Sequence, residues 1–263
     1  MALSARTRAR YWRWAQYALL AVIVLVVVFA TDWKQIGASF FNFRAAKTLF
    51  PDIITTALVN TILYTVCAFV AGSLLGLLLA LMKMSSVAVW RWIATVYIEF
   101  FRGVPALLVF AAVGIGVPLA FQVRFELVAS VTIALGMVSA AYVAETLRAG
   151  LQAVPPGQME AARSLGMPAW RAMVSIIIPQ AFRIVLPPLT NEFVILTKDT
   201  SLVYIIGMSA SQFELTKMGQ DGLQQPNMGL TSLVIAGALY LVITIPLGFL
   251  VRRLEAQAAK TKR

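Results

Sequence analysis

The sequence has no histidine and a single cysteine, Cys67, which stands inside an apolar run. Zinc and haem sites draw mainly on His and Cys, so neither is expected, and one cysteine excludes a disulfide framework. No GxxxxGK[ST] occurs anywhere. The chain therefore lacks a phosphate-cradling loop, and any ATP it depends on must be bound by another polypeptide. Charge is also scarce: 13% of the 263 residues are charged, against 60% apolar. That is too little charge to cover a soluble domain of this length. The carboxylates show no clustering at catalytic spacing, which together with the missing histidine argues against a membrane-embedded enzyme.

What the chain does have is long apolar blocks. Six segments stand out, 17–30, 53–82, 93–121, 127–147, 173–206 and 230–251. Blocks of about 20 apolar residues predict spanning helices. The net charge of +11 is concentrated at the two ends, in Arg6, Arg8, Arg10 and Arg13 and again in Arg252, Arg253, Lys260, Lys262 and Arg263. Basic clusters beside apolar spans are a topology signal, not a nucleic-acid stripe. Six spans place both termini on one side. Fourteen of the 22 basic residues then fall on that side with the 148–171 loop, and five, including Arg124 and Lys217, on the other. Arg102, Arg183 and Lys198 lie within spans. The excess predicts cytoplasmic termini and a cytoplasmic 148–171 loop. Thr31-Asp32-Trp33 follows the first apolar run without a small-residue cleavage pattern, so a retained span is expected in preference to a signal peptide.

One stretch, EAARSLGMPAWRAMVSIIIP at 160–179, fits neither a span nor a flexible loop. Pro155-Pro156-Gly157 ends the preceding helix. Residues 158–165 favour a helix of about two turns, Gly166 is suited to the left-handed closing position, and Pro168 prevents continuation. Ala161 and Ala162 would let a partner's backbone approach, and Glu160 offers a charge to a partner's Arg or Lys. A helix lying on lipid would want bulky apolar residues along one face. Only Met159 and Leu165 supply them, so docking to a protein is the favoured role.

Polar groups inside the spans are costly unless they are paired or face a cavity. They are densest in the fifth segment: Thr190, Asn191, Glu192, Thr197, Lys198, Asp199, Thr200 and Ser201. At 100° per residue, Thr190, Thr197 and Ser201 share one helix face, while Glu192 and Asp199 share a nearly opposite one. Such a segment is expected to be enclosed by protein or to border water. Pro179, Pro187 and Pro188 are expected to interrupt the helix and free backbone groups for a ligand. Internal pairing of Lys198 with Asp199 or Glu192 is the alternative. Thr56, Asn60 and Tyr64 recur at four-residue spacing and would either line the same pathway or bond between helices. Gly72, Gly76 and Ala80 form a stripe suited to close helix packing. Arg102-Gly103-Val104-Pro105 is expected to break the third span near its cytoplasmic end, Arg102 to reach headgroups or pair with Glu99, and Glu145 to pair with Arg148.

The 160–179 stretch resembles the cytoplasmic loop of bacterial ABC importer permeases: Glu160, Ala161, Ala162, then Gly166, Ile176 and Pro179. Ile178 stands where leucine is common. The segments FFRGVP (100–105), AETLRAGLQAVPPGQMEAARSLGM (144–167), IIIPQAFRIVLPPLTNEF (176–193) and LTKDTSLVYIIG (196–207) are similar to the polar amino acid branch of that family. The resemblance covers about residues 55–254 and leaves the first span outside. It implies an all-α membrane protein of about six transmembrane helices, with a type I ABC importer-like transmembrane domain and a cytoplasmic coupling helix. Residues 1–52 would be a basic tail, an extra helix and an external connector. Residues 53–251 would form the permease domain, and 252–263 a basic cytoplasmic tail. Implied partners are a cytoplasmic ABC ATPase dimer that binds the ATP and Mg, a second permease subunit, and an extracytoplasmic substrate-binding protein. Glu160, Ala161, Ala162 and Gly166 are the expected docking residues. Asn60, Thr190, Asn191, Glu192, Thr197, Lys198, Asp199 and Ser201 are the expected pathway residues. The competing reading is an amino acid transporter driven by an ion gradient, which predicts inverted repeats that the sequence does not display.

Overall fold

A computed structural model describes residues 5–123 and 125–261, with the backbone alone for 5–7 and 259–261, and every regular element among them is helical. Arg124, Lys262 and Arg263, used above in sorting the charges, lie outside the described residues. Helix α1 (Ala5–Ala30) is followed by α2 (Trp33–Phe40) and the single turn α3 (Phe43–Ala46). A π-helical stretch, Ile53–Leu58, leads into α4 (Val59–Lys83). Helix α5 (Ala88–Gly103) turns into α6 (Ala106–Ala111), which continues through a π stretch into α7 (Val117–Phe121). Then come α8 (Leu127–Gln152), α9 (Pro156–Ser164), α10 (Ala169–Ala172), a π stretch at Met173–Ile177, and α11 (Ile178–Asp199). Helices α12 (Leu215–Gly222) and α13 (Thr231–Thr261) complete the chain. Among the described residues, five continuous helical stretches are long and apolar enough to cross a membrane, Arg8–Ala30, Ile53–Lys83, Leu127–Gln152, Ala169–Ile205 and Thr231–Ala258. The α5–α7 pair makes a sixth if its two arms, bent by 104°, are counted as one span.

Helix α8 is the centre. In its most apolar stretch 67% of residues are buried, against none in α1. Small residues set the approach of α4: a Cβ at Gly72 would lie 2.9 Å from Ser139 Cβ, and one at Gly76 2.8 Å from Val143 Cβ. The expected small-residue stripe is therefore a packing seam, with Ala80 buried in line with it. Gly150 does the same for α11, where an added Cβ would overlap Val185. Lys83 and Arg148 both donate to Glu145, Arg148 through Nε at 3.0 Å and Nη2 at 2.7 Å.

One expectation about helix breaks is corrected and another is met. Pro187 and Pro188 do not interrupt α11, which runs through both. The irregular backbone lies upstream, in the π stretch immediately before it. The sharp break lies where residues 102–105 were expected to interrupt the third span: Pro105 holds Val104 extended (φ −97°, ψ 133°) and so ends α5.

On the face opposite α9, the segment between α11 and α13 is tied down by α4. The Asn60 amide donates to the carbonyls of Ser211 (2.9 Å) and Phe213 (3.0 Å), and the Tyr64 hydroxyl to that of Gln212 (2.9 Å). Glu214, fully buried, caps α12 by accepting from the amides of Thr216 and Lys217, both at 2.6 Å, and from the Tyr240 hydroxyl at 2.9 Å. Burial pushes its carboxyl above the ordinary carboxylate range, outweighing the opposing pull of these donors.

Candidate functional site

Helix α9 is delimited by backbone chemistry. Pro156 occupies its first turn, where a missing amide costs nothing. At the other end Gly166 takes φ +82°, its amide donates to Arg163 (3.0 Å), and the Met167 amide donates to Ala162 (3.1 Å). This is the Schellman closure, which satisfies the last carbonyls and stops the helix sharply. The inner face of α9 is tied to the spans. Met159 packs on the cluster of Val154, Ile177 and Ala181, and Gln180 reaches Gln158 through a long 3.4 Å bond. Ala162 is 3% exposed, so it faces the chain's own spans and is unavailable to a partner. That corrects its expected role: a two-turn helix anchored on one side must bury one of two adjacent alanines. Glu160, Ala161, Arg163 and Ser164 stay exposed. Leu165, 87% exposed, is a bare apolar residue at the tip. In the sequence it read only as a candidate for lipid contact.

The second feature is a cavity of about 430 Å³ where the α5–α6 bend meets α8 and α11. Val104, Pro105, Leu135, Val138, Ile195 and Leu196 supply much of its apolar wall, and Arg102, Tyr142, Glu192 and Asp199 its polar groups. The bend carries Arg102 into this wall. Its guanidinium lies 5.7 Å from the centre of the Tyr142 ring, a cation–π contact, and it forms no ion pair with Glu99 or any other described residue. Glu192 and Asp199 reach the cavity from positions about two turns apart on one face of α11. Neither is in an ion pair among the described residues, so the alternative of a direct contact with Lys198 is not formed.

Glu192 and Asp199 are the only residues of the expected pathway that line this cavity. Thr190 and Thr197 return their hydroxyls to the carbonyls of Leu186 (2.8 Å) and Phe193 (2.9 Å). Asn191 and Lys198 are exposed on other faces of α11, and Ser201 lies beyond its end. Asn60 holds the opposite-face loop, as described. Thr56 lines a separate cavity of about 320 Å³ there, with Thr48, Asp52, Asp221 and Gln225. Sequence reasoning missed Arg102 and Tyr142. The signal was Pro105, which marks the break but not the direction in which Arg102 turns.

Comparison with known proteins gives a consistent picture. Residues 72–260 match the family described as "Binding-protein-dependent transport system inner membrane component". The chain is 35% identical over 209 residues to the "Probable glutamine ABC transporter permease protein GlnM" of Bacillus subtilis (strain 168), covering 77% of this chain and 91% of that one. It is 35% identical over 214 residues to the "Arginine transport system permease protein ArtQ" of the same organism, covering 81% and 95%. Among solved structures, one chain of the "Crystal structure of an amino acid ABC transporter with histidines" superposes with a TM-score of 0.74 at 36% identity, covering 82% of this chain and 98% of that one. Arg102 at the bend, Glu192 and Asp199 in the cavity and helix α9 all lie inside the matched region, and the chain belongs to the family of binding-protein-dependent transport system inner membrane components.

Proposed function

We propose that this chain is the non-catalytic permease subunit of an ATP-driven importer of polar amino acids, docked through α9 to a separate ATPase. The observation that carries the reading is α9 itself. It is a short, sharply closed helix, fixed to the spans on one face and presenting Glu160, Ala161 and Leu165 on the other. Leu165 supplies apolar area for a groove, and Glu160 a charge for a basic residue at its rim. Gly166 closes the helix, so that a push on α9 is passed to α11 through α10 instead of being lost in a loop. The relatives' names, for glutamine and arginine systems, support an amino acid substrate. An ion-gradient transporter would leave α9 without a purpose.

In this scheme α9 and both termini lie at the cytoplasmic face, a side that the basic excess supports. ATP and Mg are held by the ATPase dimer, a second permease copy or homologue completes the pathway, and a binding protein delivers substrate outside. ATP-driven closure of the ATPases would draw the docking helices together and rock the spans, switching access to the cavity. The test is mass spectrometry of what co-purifies with a tagged chain from its native membrane. An ABC ATPase at comparable abundance, lost on Glu160→Arg or Leu165→Asp while the permease stays folded, is the expected result. No ATPase in mild detergent, and none cross-linked from a cysteine placed beside Glu160, would overturn the reading.

A further inference from the structure

We propose that a third cavity, against the inner face of α9, binds the phosphate of an anionic phospholipid, and that Arg183 is its cation. The proposal goes beyond the permease reading and holds whichever solute is carried. The cavity, of about 520 Å³, lies between the start of α9, the first turns of α11 and the end of α13. Val154, Ile184 and Ala258 give it apolar wall, and Gln158, Gln180 and Arg183 its polar groups. No carboxylate is among the lining residues. Arg183 is exposed and makes no ion pair or hydrogen bond with another described residue. The two carboxamides are already oriented. Gln180 donates through Nε2 to the Ile176 carbonyl (3.0 Å) and to Gln158 Oε1 (3.4 Å). The Gln158 oxygen is thus occupied, which leaves its amide hydrogens to donate within the cavity.

A guanidinium with a carboxamide donor makes an anion site, and a phosphate matches the guanidinium's planar fork. The surroundings choose the carrier. Ile178 and Phe182, four residues apart on one face of α11, are exposed apolar residues, the kind of surface a span gives to acyl chains. Phe182 directly precedes Arg183, so the cation stands where this bare face meets the cavity. A ligand that fits has an anionic head inside and an apolar body outside, which describes a phospholipid at a basic pocket between spanning helices. The absence of an acid from the lining sets the headgroup charge. Phosphatidylcholine would bring an ammonium with no carboxylate to receive it, whereas phosphatidylglycerol brings the phosphate anion alone. A headgroup bound there joins Gln158 of α9 to Arg183 of α11 and steadies α9 on its spans.

The test places the full chain in nanodiscs of phosphatidylcholine, alone or with dioleoyl phosphatidylglycerol at a series of mole fractions, and reads amide hydrogen exchange by mass spectrometry. Phosphatidylglycerol should slow exchange over 156–164 in the wild type and leave 209–222, on the opposite face, unchanged. Arg183→Gln should need about tenfold more of the lipid for the same protection. Arg183→Lys, which keeps the charge but not the fork, should fall between. Glycerol 3-phosphate added to discs of phosphatidylcholine alone is the soluble arm. Protection by it equal to that by the lipid keeps the phosphate site and overturns its lipid source. Equal slowing at 156–164 and 209–222, no slowing at either, or an Arg183→Gln response like that of the wild type overturns the site. The wild-type comparison of the two lipids needs no variant to fold. Co-purification of the ATPase, which decides the permease reading, is a separate measurement and stands whatever the lipid result.

Discussion

At the α9 end of α8, Glu145 accepts from Lys83 on α4 and from Arg148 one turn on, and Arg148 also donates to Gln152 at 2.6 Å. Their side chains are 17%, 20% and 29% exposed, and the triad is complete within the chain. Elsewhere on the same helix bundle, Arg102, Glu192 and Asp199 face one another across open volume and complete nothing. The two sets use the same residue types. Where charge serves packing, the chain supplies both partners. In the cavity it leaves them apart.

The largest effect should come from removing the helix on which both sets depend. Gly76→Leu places a side chain where a Cβ alone would lie 2.8 Å from Val143 and 3.0 Å from the Ala140 carbonyl. Overpacking of this kind should cost roughly 3 kcal/mol or more, and size-exclusion profiles should show little folded permease. Next, Glu145→Ala leaves two cations together with no anion. It should lower stability by about 2–4 kcal/mol, read as a lower unfolding midpoint. Replacing Lys83 and Glu145 together with Met should recover part of that. Glu192→Gln is the contrasting case. Its midpoint should hold or rise, since an unbridged charge is removed, while transport in assembled complexes falls about tenfold. A midpoint loss matching that of Glu145→Ala would erase the distinction.

Glu214 sharpens the comparison as an intermediate: fully buried and given three donors, but no cation among the described residues. Its carboxyl is raised by burial. The folded state therefore holds its proton more tightly than the unfolded state, and the stabilising contribution is fully present below the ordinary carboxylate range. It fades as pH rises through the raised value. Hydrogen exchange over 209–222 should loosen from acidic to neutral pH beyond the intrinsic rate change, and less so in Glu214→Gln.

Much of this organisation was legible in the chain. Apolar run length marked the spans, because a bilayer of given thickness demands it. Pro155, Gly166 and Pro168 bounded α9, because backbone constraints are local. The opposed faces of α11 followed from helical periodicity, and only Glu192 and Asp199 reached the cavity. What the sequence could not decide was direction and partnership. Whether Ala161 or Ala162 faces outward depends on how α9 seats on Ile177 and Ala181. Whether Asn60 lines a pathway or holds a loop depends on carbonyls about 150 residues away. Arg102 joins Glu192 only because Pro105 turns the chain through 104°. Local chemistry set the pieces of this protein, and long-range packing alone chose which charges would meet and which would be kept apart.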